Sequence, residues 1–167
     1  RDIKPANIFT CRVGPDVDFV KVLDFGLVKQ MDRADAGIVT ADGLATGTPA
    51  YMAPESALGH PSVDHRADIY AVGCVAYWLL TGKRPFAAPS DLGVMQAILA
   101  AEPRPPRELN PTVPEALDEL VLRLLHKDAA RRPQSGHEVA DVLAPALAVR
   151  RTIVGPFVRD ALLGART

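Results

Sequence analysis

Cysteine is scarce in this 167-residue sequence: Cys11 and Cys74 are the only two, far apart and without metal-ligand spacing. That scarcity excludes a disulfide framework and a cysteine-built metal centre, and it predicts two reduced thiols in a cytosolic protein. Neither charge is in surplus, with 19 Lys+Arg against 20 Asp+Glu. A balanced chain has no basic field to hold a nucleic acid, so no nucleic-acid partner is expected, and no acidic field of the kind found in solvating tails. Long apolar runs are missing too. The most apolar stretch, Ile69 to Leu80, is broken by Gly73 and is too short to cross a bilayer, so it reads as a buried core helix. His60, His65, His126 and His137 lack ligand spacing and read as surface or packing residues. There is no leader pattern and no internal repeat. A cytoplasmic location is expected, with membrane anchoring of a longer parent left open.

What is present is concentrated near the start. The run Arg1-Asp2-Ile3-Lys4-Pro5-Ala6-Asn7 is followed, after a short apolar stretch, by Asp24-Phe25-Gly26. Pro5 removes a backbone donor, so residues 1 to 9 read as a loop feeding a strand. Ile8 to Cys11 and Phe19 to Leu23 favour strands, and Gly14-Pro15-Asp16 between them signals a turn. A hairpin built this way brings Asn7 close to Asp24. From Gly26 to about Gly47 no periodicity holds, and the glycines and aspartates there predict a long loop of the kind that carries function.

Beyond the loop the pattern is helical. Thr48 to Glu55 closes the loop, with a short helix expected to Leu58. Asp64 to Leu80 forms the strongest helix, stopped by Gly82 and Pro85. Ser90 caps a helix to about Ala101, and Pro103 to Pro106 reads as an extended connector. Thr112 with Glu115, and Ser135 with Glu138, each have capping-box spacing. The first predicts a helix through Leu125 with Leu117, Leu120, Val121, Leu124 and Leu125 on one face. The second predicts a helix to about Ala148. Residues 149–167 show no clear pattern.

The residues near the start suit phosphoryl transfer, which needs an in-line nucleophile and positive charge on the phosphate oxygens. Asp2 can accept a proton from a hydroxyl nucleophile. Lys4, two residues on, can reach the transferred phosphate as a point charge. Asn7 offers a neutral carbonyl oxygen and Asp24 a carboxylate, a donor pair suited to Mg²⁺.

With these motifs in view, the sequence resembles a eukaryotic-type Ser/Thr protein kinase of the kind common in bacteria. Arg1-Asp2 with Lys4 and Asn7 matches the catalytic loop H-R-D-x-K-x-x-N, Asp24-Phe25-Gly26 matches D-F-G, and Ala53-Pro54-Glu55 matches A-P-E. Asp68 resembles the buried helix aspartate that ties down the catalytic loop. Arg132 resembles the late arginine that pairs with the A-P-E glutamate, here Glu55. Each motif alone is weak; their order and spacing across residues 1–148 make the resemblance specific. It implies an α+β protein-kinase-like fold. Only the mainly α-helical C-terminal lobe is expected here, with a small β-hairpin carrying the catalytic loop and D-F-G, and a tail at 149–167.

The resemblance also implies function. The activity is transfer of the γ-phosphate of ATP, with Mg²⁺, to a Ser/Thr hydroxyl of a protein substrate. Catalytic roles fall to Asp2, Lys4 and Thr48, with Thr48 bridging Asp2 and Lys4. Lys4, Asn7 and Asp24 bind the nucleotide and metal, and Phe25 and Gly26 complete the D-F-G. Lys4 and Gly47-Thr48-Pro49 fit the Ser/Thr branch, and Leu27 hints at serine as acceptor. Arg1 is expected to gather a phosphate on Thr40, with Thr46 as the other candidate. Two kinase copies are the expected arrangement for that autophosphorylation. No Gly-rich phosphate loop, strand Lys or partner Glu is present, so those parts are expected upstream of Arg1, and the isolated chain is expected to be inactive. The other readings are a kinase-like non-catalytic binding module and a small-molecule phosphotransferase of the aminoglycoside type. Intact Asp2, Lys4, Asn7 and Asp24 argue against the first. The A-P-E, Asp68 and Arg132 pattern argues against the second.

Overall fold

The computed structural model describes residues 3–13, 16–23 and 49–148. The long loop expected from Gly26 to Gly47, and the tail at 149–167, lie outside the described residues.

Two strands, β1 (Ile8–Val13) and β2 (Asp16–Val22), form an antiparallel hairpin in the register Ile8 to Val22, Phe9 to Lys21 and Cys11 to Phe19. The hairpin is entered from a single 3₁₀ turn at Pro5–Asn7. The expected loop is therefore tighter than Pro5 alone suggested. Proline opens this turn at its first position, where the lost N–H would have had no partner anyway. None of the hairpin residues whose burial is described is buried.

From Pro49 onward the chain is helical. After a 3₁₀ turn at Pro49–Tyr51 come α1 (Pro54–Ala57), α2 (Arg66–Thr81), α3 (Asp91–Ala100), α4 (Pro106–Leu109), α5 (Glu115–Leu124) and α6 (Gly136–Ala148). Helix α2 is the axis of the fold, and it buries Ile69, Tyr70, Ala71, Cys74, Val75 and Tyr77. Gly73 is what lets α5 reach it: a Cβ there would lie 2.7 Å from Leu124 Cβ. The glycine that interrupts the apolar run is thus a packing notch. Gly82 ends α2 in the left-handed region, φ 69°, with its N–H donating to Trp78 O.

One core cluster joins Ala53, Tyr70, Cys74, Tyr77, Phe86, Val94, Ile98, Val121 and Leu125, and a second joins Ile69, Leu120, Leu124 and Val139. Leu117, expected on the same buried face of α5, is only half-buried.

The caps differ in their details. Ser90 Oγ accepts from Gly93 N–H at 3.1 Å and starts α3. Ser135 Oγ accepts from Glu138 N–H, while the Glu138 carboxylate turns back to Gln134 N–H rather than Ser135. Thr112 caps nothing. Asn110 Oδ1 takes both its N–H and its hydroxyl, and α5 begins after Pro114, whose carbonyl accepts from Leu117 and Asp118. The proline connector also ends early, because Pro106 opens α4.

Candidate active site

Lys4 and Asn7 are placed by the turn that feeds β1. Lys4 is extended, and its carbonyl accepts from Asn7 N–H at 2.9 Å. The Asn7 carbonyl in turn accepts from Leu23 N–H at 2.8 Å. The hairpin therefore closes with the main chain of Asn7 one hydrogen bond from the residue before Asp24. Both side chains are half-buried. Arg1, Asp2, Asp24, Phe25, Gly26, Thr40, Thr46 and Thr48 lie outside the described residues.

The structure brings Glu55 and Arg132 together although they lie 77 positions apart. Arg132 is 2 % exposed and spends all five guanidinium N–H groups. Nη1 and Nη2 reach the two Glu55 carboxylate oxygens at 2.7 Å each. Nη1 also donates to Arg66 O, Nη2 to Lys127 O and Nε to His126 O. The guanidinium carbon lies 5.0 Å from the centre of the Tyr70 ring. A buried charge is tolerated when every donor is matched, and this one is. Burial pushes the Glu55 carboxyl upward. The hydrogen bonds from Arg132 and from its own backbone, with the Arg132 charge, outweigh that and leave its pKa below the ordinary value.

Asp68 sits in the first turn of α2 and is half-buried. Three of the histidines make hydrogen bonds within the helical part. His65 Nε2 lies 2.9 Å from Gln134 O, His60 bonds Ser62, and His126 belongs to the turn at Asp128. Among the described residues no cluster of His, Cys, Asp or Glu could hold a metal ion. Both cysteines are free thiols, and burial pushes the Cys74 thiol up to about 12, which keeps it an inert apolar filler.

Sequence reasoning missed four placed groups. Asp118 is buried on α5, and its carboxylate accepts from Arg107 N–H at 2.7 Å. Asn110 donates from its amide to Leu80 O. Tyr70 is fully buried, and its hydroxyl has no partner among the described residues. Lys127 donates to Ile98 O at 2.6 Å and holds its ammonium 3.9 Å from the centre of the Phe86 ring. Periodicity offered a signal only for Tyr70. The other three depend on contacts between distant segments. A groove of about 330 Å³ between the 102–105 connector and α5 is lined by Glu102, Pro103, Leu122 and His126, and by none of the sequence-predicted site residues.

These features define a class. Residues 1–143 match the protein kinase domain family, and the chain belongs to it. Its described part is the family's mainly helical lobe with a two-stranded antiparallel hairpin. Over 138 residues the chain is 45 % identical to a protein named serine/threonine-protein kinase pkn3 of Myxococcus xanthus, covering 81 % of this chain and 25 % of that one. It is 41 % identical over 151 residues to serine/threonine-protein kinase PknA of Mycobacterium tuberculosis, covering 90 % of this chain and 32 % of that one. It is also 42 % identical over 147 residues to a protein named tyrosine-protein kinase MasK of Myxococcus xanthus, covering 88 % of this chain and 21 % of that one. The chain thus spans about a quarter of the length of these curated relatives. No helix among the described residues is long and apolar enough to cross a membrane.

Proposed function

We propose that this chain carries the phosphotransfer half of a Ser/Thr protein kinase, which moves the γ-phosphate of ATP to a Ser or Thr hydroxyl of a protein. The observation that carries this reading is the closed end of the hairpin. There the main chain of Asn7 is pinned to Leu23, the residue that precedes Asp24 in the sequence. One amide oxygen and one carboxylate fit a hard divalent ion. Mg²⁺ bound there would neutralise charge on the ATP phosphates.

The roles follow from the chemistry of each side chain. Asp2 accepts the proton of the acceptor hydroxyl and holds it in line. Lys4 places a positive charge on the phosphoryl oxygens as they shift toward the acceptor. Thr48 bridges Asp2 and Lys4 and orders the pair. Phe25 and Gly26 set the backbone of Asp24. Glu55 and Arg132 anchor the C-terminal end of the long loop to α2 and to the turn after α5, and Asp68 steadies the catalytic loop from the start of α2. Arg1 collects a phosphate on Thr40 or Thr46, placed there by a second kinase copy. The adenine and the remaining phosphates are held by residues outside this chain.

Lys4 and Thr48 favour Ser/Thr over Tyr as acceptor, as the names of pkn3 and PknA do for those relatives, whereas MasK carries a tyrosine-kinase name. The deciding experiment is phosphoamino-acid analysis of a protein substrate panel after incubation with the full-length protein, Mg²⁺ and ATP. Phosphoserine or phosphothreonine that disappears in Asp2→Asn is the expected result. Phosphotyrosine alone overturns the acceptor assignment, and unchanged transfer by Asp2→Asn overturns the assignment of the base. Peptide mapping of the same sample reads Thr40 and Thr46.

A further inference from the structure

Among the described residues, Lys127 is the one half-buried ammonium for which the phosphotransfer reading has no use. It follows α5 in the turn that also feeds Arg132, and it makes contacts in two directions. Its carbonyl accepts from Arg132 Nη2 at 3.1 Å, in the same guanidinium that holds Glu55. Its ammonium donates to Ile98 O at 2.6 Å. Ile98 lies in the last turn of α3, where carbonyls lack intrahelical partners and the helix dipole favours a cation. The same ammonium lies over the face of Phe86, itself 3 % exposed, in the connection that leads into α3. Burial lowers the pKa of Lys127, so the protein keeps a cation where the loss of solvation disfavours one. These contacts make the expense intelligible: one charge serves a helix end and an aromatic face together.

What α3 supports is also visible. Helix α3 packs against the Pro49–Tyr51 turn and against α1. Ile98, Val94, Phe86 and Ala53 share one core cluster, with Tyr51 packed on its edge. The Pro49–Tyr51 turn follows directly on Thr48.

We propose that Lys127 is a positioning residue for phosphotransfer: its ammonium holds the end of α3 while its carbonyl holds Arg132 of the Glu55–Arg132 pair, and together they fix the Pro49–Tyr51 turn that follows Thr48 in the sequence. The catalytic half of this statement rests on the role assigned to Thr48 above. The tie between α3 and the ion pair does not.

The test therefore has two arms on the full-length protein. In the first, amide hydrogen exchange is followed in α3 for wild type, Lys127→Met, Lys127→Arg and Glu55→Gln. Methionine keeps the apolar stem and removes the charge, so a merely space-filling lysine would lose little. The expected result is at least a tenfold loss of protection in α3 for Lys127→Met, recovery in Lys127→Arg, and a loss in Glu55→Gln that does not add to that of Lys127→Met in the double variant. Unchanged protection in Lys127→Met, or fully additive losses, overturns the tie. If Lys127→Met does not fold, Phe86→Leu takes its place; a loss of about threefold in α3 protection supports the tie, and none overturns it.

In the second arm, Lys127→Met lowers kcat about tenfold, leaves the KM for ATP unchanged and is rescued by Lys127→Arg. A loosened α3 with normal kcat removes the catalytic half alone. Absence of transfer by the wild type itself would count against the kinase reading and leave the exchange result to decide the tie.

Discussion

The hairpin and the helical part of this chain are built on opposite terms. In the helical part Tyr70 and Ile98 are completely buried, and the charged Arg132 is 2 % exposed with all five donors matched. In the hairpin Phe9, Phe19, Val20 and Leu23 are 46 %, 45 %, 55 % and 49 % exposed. Yet Lys4 and Asn7, the described residues assigned to the chemistry, stand at the hairpin. The lesson is a division of labour. The helices supply a rigid frame from their own core, whereas the hairpin holds its reactive residues by main-chain hydrogen bonds such as Leu23 N–H to Asn7 O. Apart from Lys127, whose proposed role reaches the chemistry, changes in the first region should therefore be felt mainly as stability, and changes in the second as rate.

The largest effect expected on the stability side is that of Arg132→Ala in the full-length protein. It leaves the Glu55 carboxylate without its partner and strands the Arg66, His126 and Lys127 carbonyls. Breaking a buried pair by removing one member costs about 3–5 kcal/mol. Denaturant unfolding followed by circular dichroism measures it, and a loss below about 1 kcal/mol would mean that the frame does not depend on this pair. On the rate side, Asn7→Ala should lower kcat about 10²-fold, the order expected when one transition-state electrostatic contact is lost. Its melting temperature should stay near that of the wild type. A melting shift as large as that of Arg132→Ala would erase the contrast between the two regions.

How much of this contrast is legible in the sequence differs between the same two regions. The hairpin follows from strand-favouring residues flanking Gly14-Pro15-Asp16, because strand and turn preferences act over a few neighbours. Helices α2, α3 and α6 follow from apolar spacing and from Ser90 and Ser135. The pairing of Glu55 with Arg132 is invisible to any such local rule across 77 positions; only the resemblance to a known motif order suggested it. Thr112 shows the limit of a local rule. Its spacing to Glu115 is right for a capping box, but Asn110 engages its hydroxyl and N–H, and Pro114 sets where α5 starts. Nothing adjacent in the sequence marks Lys127, because the partners that define it, Ile98 and Phe86, come from elsewhere in the chain.

A smaller change tests how tightly the frame is packed. Gly73→Ala places a methyl group 2.7 Å from Leu124 Cβ and 3.2 Å from Leu125 Cδ2. Alanine is the better helix former, so propensity alone predicts a gain of up to about 1 kcal/mol. Overpacking a core costs about 1–3 kcal/mol, and Leu124 Cβ cannot retreat without moving α5. The net outcome expected is destabilisation, read by thermal unfolding. A more stable Gly73→Ala protein would show that α2 and α5 can separate freely.

The smallest effect has the opposite sign. Tyr70 is the most enclosed aromatic residue of α2, and its hydroxyl is buried without a partner among the described residues. Burial drives its pKa upward, so the group stays a neutral phenol that has given up its bonds to water. Leaving one buried polar atom unmatched costs about 1–3 kcal/mol. Tyr70→Phe removes that cost and keeps the ring against which Arg132 lies. The small void left by one oxygen offsets part of the benefit. A net gain of about 1 kcal/mol is therefore expected in unfolding of the full-length protein, with catalytic rate unchanged. A loss of stability instead would mean that the hydroxyl is bonded in the folded protein. The frame around Arg132 would then extend to residues beyond those that hold Glu55.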